Sequence, residues 1–156
     1  MRSNGPDSVE ARIAAQPFFE GLDGAFVAEV IRGATEETYE TGDMLVRDGE
    51  PAKEFLLIDT GKVALEIVAT EKPRLTIQTI GPGEVLGWSW LTPPARWRLD
   101  ARALKTTRAF IIQAEYLRSI LDARPADGYR FLLRLVPVIA ERLENTQVQL
   151  LDIHGL

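Results

Sequence analysis

From Tyr39 to Ala114 the chain runs as short β-rich segments cut by turn residues: MLVRDG, EFLLIDTG, KVALEIVAT, RLTIQTIGPG, DARALKTT and RAFIIQA. Strands this short, at this spacing, predict an all-β barrel or sandwich. KVALEIV alternates well, placing Val63, Leu65 and Ile67 on one face and Ala64, Glu66 and Val68 on the other. Asp48-Gly49 and Thr60-Gly61 are ready-made tight turns.

Helical texture flanks this block. SVEARIAAQ and LDGAFVAEVIRGA carry apolar spacing near 3.6 residues, with Pro17 between them and Gly33 placed to end the second. The expected division is N-terminal helices over 8–38, a β-roll over 39–114 and C-terminal helices over 115–153, all in one domain of 156 residues. The C-terminal part begins with YLRSILDA. Past Arg124-Pro125 comes a long segment in which Leu132, Val136, Ile139, Leu143, Thr146, Leu150 and Ile153 alternate steps of four and three. Such a seam, broken only by Thr146, is what two supercoiled helices require, so it predicts a homodimer through this helix. Leu133, Leu135 and Val138 offer a second apolar face for the roll. Pro137 is expected either to kink the helix or to split it near Leu133.

Composition removes several function classes. With no Cys there is no thiolate chemistry, and His154 is the single histidine. No acidic pair has a nearby base or metal set, so no enzyme is expected. No apolar run approaches the roughly 18 residues of a membrane span, and the N-terminus lacks the apolar stretch of a secretory signal. A cytoplasmic location is the expectation. The net charge of -5 argues against general nucleic-acid affinity. Acids dominate Thr35 to Glu54 and bases dominate Arg96 to Arg108, and the commoner explanation of either cluster is a solvated face.

The order of helix, roll and long helix, with Gly42, Gly49 and Gly61 in ETGDMLVRDGEPAKEFLLIDTGKVALEI followed by IGPGEVLG, resembles the cyclic-nucleotide-binding domain of the catabolite-activator (Crp/Fnr-like) superfamily. The resemblance covers Phe18 to about Asp152. It implies a mainly β fold, a double-stranded β-helix or jelly roll, with N-terminal helices and a long C-terminal helix. It also implies a non-catalytic regulatory module, with a cyclic nucleotide (cAMP or cGMP) or another small planar ligand as its possible cofactor. The superfamily's transcription factors continue into a helix-turn-helix, whereas this sequence stops at Leu156. Direct DNA binding is therefore not expected, and a protein partner is possible.

In that superfamily a Gly-Glu pair opens a short helix that cradles the cyclic phosphate, and an Arg follows about ten residues later. Here Gly87 stands at the Gly position, but Trp88 replaces the Glu that would accept the ribose hydroxyl. The Arg has two candidates, Arg96 and Arg98, with Trp97 in the Arg slot as the alternative that leaves no phosphate-pairing Arg. Strand alternation sends Trp97, Leu99 and Ala101 to one face and Arg98, Asp100 and Arg102 to the other. The expected ligand-binding set is Gly87, Trp88, Ser89, Trp90, Arg96, Trp97 and Arg98. Either the indoles of this degenerate, Trp-rich cassette stack on a ligand, or they fill the cavity and leave a ligand-free dimeric scaffold.

Overall fold

The structure, a computed structural model, describes Gly5 and residues 8–154, and the side chains of Ile153 and His154 lie outside that description. Helix α1 (Val9–Ala14) starts at Ser8, whose hydroxyl accepts from the Ala11 N–H. A 3-10 turn at Pro17–Phe19 leads to α2 (Gly24–Arg32), capped in the same way by the Asp23 carboxylate on the Phe26 N–H. Each cap satisfies a helix-start donor that has no partner within the helix.

Eight strands follow: β1 (Ala34–Tyr39), β2 (Met44–Val46), β3 (Glu54–Thr60), β4 (Val63–Ile67), β5 (Leu75–Ile80), β6 (Val85–Leu86), β7 (Asp100–Ala103) and β8 (Thr107–Gln113). They form two antiparallel sheets, ordered β1-β8-β3-β6 and β2-β7-β4-β5. This is the expected jelly roll. Residues 34–38, grouped with the N-terminal helices by texture, belong instead to β1, paired with β8 from Ala34↔Ile112 to Tyr39↔Thr107. ATEETY hides its strand character because an edge strand needs little apolar surface.

Most carboxylates of the acidic run are exposed, as a solvated face requires, but Glu36 is engaged by arginines. Glu36 and Asp59 share Arg12 at 2.8 and 2.5 Å, with Arg108 behind at 3.7 and 3.8 Å. On the second sheet Glu66 is buried rather than outward in water, because Arg102 grips it with two bonds of 2.9 and 3.2 Å. Asp100 is held by Arg74 and accepts from the Asp48 N–H. Buried carboxylates of this kind persist only when paired.

The helices are fastened to the roll by aromatic rings. Phe55 of β3 lies 5.4 Å from Phe18 and 5.5 Å from Phe131, which are 5.2 Å from each other, centroid to centroid. Phe131 belongs to the last helix. Helix α3 (Ala114–Ala123) precedes it, and α4 (Pro125–His154) is one helix of 30 residues that continues through Pro137. The helix is thus not split. Its missing hydrogen bond falls on the Leu133 carbonyl, on a side that water reaches. Phe131, Leu135, Val138 and Arg142 face the roll, whereas Leu133 is exposed, which corrects its assignment to that face.

Two features of the roll yield tests. Gly61 has φ +110°, and a Cβ there would lie 2.5 Å from the Thr107 Cα, where β8 begins. Gly21 also has positive φ but faces open space. Gly61→Ala should therefore lose stability beyond the roughly 1–3 kcal/mol of backbone strain that Gly21→Ala incurs, as read by urea denaturation.

Burial and the neighbouring Glu37 push the Glu54 carboxyl above its usual range, and burial, Glu54 and Glu37 push the Tyr39 hydroxyl up to about 12. A raised carboxyl favours the folded state below its unfolded value and loses that contribution as pH rises through the folded one. Glu54→Gln should therefore melt higher than wild type at pH 7.5, with the gap closing at pH 4 in calorimetry.

Candidate functional site

The cassette opens where β6 ends. Gly87 has φ +116°, and a Cβ there would lie 2.9 Å from both the Glu54 carbonyl oxygen and Cη2 of Trp97. Glycine is required twice over, by the backbone turn and by the indole pressed against it. After Trp88 the chain makes only a 3-10 turn, Ser89–Leu91, in place of a longer helix. Three residues supply little macrodipole for an anion.

The three indoles take different places. Trp90 is buried, donating from Nε1 to the Gly87 carbonyl at 2.8 Å, with its ring 6.4 Å from Phe55. Its own carbonyl accepts from Arg118 of α3 at 2.8 Å. Trp97 is only 5% exposed and belongs to the core. Trp88 is half-buried, and the guanidinium of Arg142 lies over its ring at 5.0 Å.

The candidate arginines separate as well. Arg96 is exposed and donates to the Gly49 carbonyl at 2.8 Å, at a bridge between Pro51 and Arg96, away from the cassette cavity. Arg98 is exposed at the mouth of that cavity, outside Trp97. The structure brings Gly87, Trp88, Ser89, Trp97 and Arg98 together, whereas Trp90 and Arg96 do not line the cavity.

The cavity itself measures about 90 Å³. Pockets for whole small-molecule ligands run from roughly 300 Å³ upward, so this cavity as it stands is smaller than one of those. The site also lacks a carboxylate at position 88 to accept a ribose hydroxyl. A larger hollow of about 800 Å³, open to solvent, lies between Lys53 and the start of α3 and is bounded on one side by Trp90 of the cassette.

Sequence reasoning missed Arg142. It sits on α4, is 4% exposed, and its Nη2 donates to the Val85 carbonyl. Nε and Nη1 are buried with no hydrogen-bond partner. Desolvation lowers its pKa to about 10, against the pull of Glu84 and Glu141, so it stays charged at neutral pH. The available signal was periodicity, since Arg142 continues the inward series Phe131, Leu135, Val138, where an apolar residue is expected.

The proposed pairing seam lies on the other side of α4. Leu132, Val136, Leu143 and Leu150 are exposed, whereas Ile139 is partly buried against the core. No helix is long and apolar enough to cross a membrane, among the described residues.

Comparison with known proteins agrees with this architecture. The chain is 23% identical over 141 residues to a CRP-like cAMP-activated global transcriptional regulator of Mycobacterium tuberculosis, covering 90% of this chain and 61% of that protein. Among solved structures, a cyclic nucleotide-binding domain from Methylobacillus flagellatus superposes with TM-score 0.79 at 19% identity, covering 97% of this chain and 88% of that one. The regulatory subunit of a cAMP-independent protein kinase A from Trypanosoma brucei gives TM-score 0.70 at 16% identity, covering 88% of this chain and 48% of that one. The sequence profile described as cyclic nucleotide-binding domain matches residues 36–124, more than half of the chain. By that match and by its jelly roll, the chain belongs to the cyclic nucleotide-binding domain family.

Proposed function

We propose that this protein is a non-catalytic regulatory module that pairs with a second copy through α4 and whose roll is closed to cyclic AMP and cyclic GMP. One observation carries the second half of this reading: the Trp97 indole sits against Gly87 and leaves a cavity of about 90 Å³. An indole in that place exchanges ligand volume for core packing, which contributes several kcal/mol to stability in a well-packed site. The chain's relatives support the regulatory half. One is named a cAMP-activated regulator and another a cAMP-independent regulatory subunit, so both modes accompany this fold.

Pairing through α4 is supported by the run of exposed apolar side chains with coiled-coil spacing, Leu132, Val136, Leu143 and Leu150. Apolar residues repeated along one helix face, in a protein with charged surface elsewhere, call for a partner helix. A second copy supplies that partner through the same seam, as two-fold symmetry allows.

Two measurements decide the proposal. Cyclic AMP or cyclic GMP should leave the melting temperature of the wild type unchanged, whereas a ligand at 100 times its dissociation constant would add about 2.7 kcal/mol of stability. A concentration-dependent rise would mean that the roll opens to nucleotides. Leu143→Asp places a charge on a residue that is 58% exposed in the single chain, so the fold should survive. Sedimentation should then report half the wild-type mass; an unchanged mass removes α4 as the interface.

A further inference from the structure

A groove of about 460 Å³, open to solvent, runs between α3 and the first turns of α4, lined by Leu91, Leu121, Gly128, Tyr129 and Leu132. Gly128 lies at its base, where α3 passes so close that a Cβ would lie 3.0 Å from the Leu121 carbonyl oxygen. Tyr129 is exposed and continues the α4 seam one step back, three residues before Leu132. Groove and seam are thus one continuous apolar surface. Leu133 stands beside that seam, 53% exposed, on the flank of the helix turned away from Phe131 and Leu135.

We propose that two copies of α4 run in the same direction and that Leu133 of each fills the α3–α4 groove of the other. The inference rests on the preceding reading that α4 is the pairing helix. Direction follows from where the roll sits. Phe131, Leu135, Val138 and Arg142 carry it on one flank of the seam. Helices running oppositely about the middle of the seam would bring both rolls to the same side, with centres offset by only about 14 Å along the pair. A domain of this size is at least about 26 Å across, so they would collide. Running in the same direction places the rolls on opposite sides. In such a pair the residue before one seam position faces the residue five further along in the partner, which sets Gly128 opposite the partner's Leu133. The knob meets a position with no side chain. Charge agrees, because Asp122 lines the groove and Arg130 lies one turn before Leu133 on the same flank. Both are exposed, and neither has an ion pair among the described residues. The groove includes Leu91, next to Trp90 whose carbonyl Arg118 holds, so the partner's Leu133 rests beside the cassette's support.

The chain has no cysteine, so single cysteines report contacts without background. Leu133→Cys and Leu121→Cys chains, one of them carrying a size tag, are mixed, left to exchange subunits and oxidised. A disulfide between the two different chains is expected, with none from either variant alone. Leu150→Cys mixed with Leu121→Cys should give none. Sedimentation over a dilution series supplies the second measurement. Leu133→Ser changes an exposed side chain of the single chain and should weaken the dimer by about tenfold. Arg130→Asp should weaken it by about threefold at low salt, and Asp122→Arg added to the same chain should restore it.

A dimer in which Leu150→Cys rather than Leu133→Cys links to Leu121→Cys has its helices opposed, which overturns the inference and leaves α4 pairing intact. A dimer with neither link, or with unchanged affinity in Leu133→Ser, also overturns it, and Leu143→Asp then decides whether α4 is the interface at all. A double charge variant no tighter than Arg130→Asp counts against it in the same way. A monomeric wild type discards both readings.

Discussion

The contact among Phe18, Phe55 and Phe131 sets the relation of α4 and of the N-terminal 3-10 turn to the roll. One ring comes from the N-terminal 3-10 turn, one from a central strand and one from α4, so a single cluster joins three parts far apart in sequence. Edge-on and tilted rings at these separations add directional attraction to the burial of large apolar area. With Phe131 seated, the register of α4 is fixed. Three turns further on, Arg142 must land above Trp88 and the end of β6.

The cassette keeps its glycine turn while its side chains are engaged in packing and backbone contacts. Gly87 retains the positive φ and the close approach to Glu54 that the turn demands. The side chains around it have structural contacts. Trp90 braces the turn from beneath through Gly87, Trp97 occupies the inward position at the entry to β7, and Arg96 is spent on the Gly49 carbonyl. The positive charge nearest the cavity's interior arrives from α4 rather than from the cassette itself. A charge carried on a helix is free to move with that helix, whereas one rooted in a strand is not.

Much of this was legible in the sequence because periodicity and turn chemistry are local. The glycine turns followed from local spacing, and strand alternation separated Trp97 from Arg98 while leaving open which of them faced the pocket; Asp100, on the Arg98 side, is buried. β1 was obscured because an edge strand of ATEETY has no apolar alternation to read. The burial of Glu66 and Asp100 depended on arginines up to 36 residues away, whose approach is set by sheet pairing. Arg142 was missed for a related reason. A lone charge in an amphipathic helix reads as solvent-facing until the partner surface is known.

The edge strand β1 has a further bearing on how copies of this chain meet. Its outer backbone groups are open to another strand, and sheet extension is a common route to uncontrolled association. Glu36, Glu37 and Glu40 line that rim with negative charge, with only Glu36 neutralised by arginines. A second molecule docking there would set acid against acid along the whole strand. Fibrous growth through this edge of the roll is thereby discouraged.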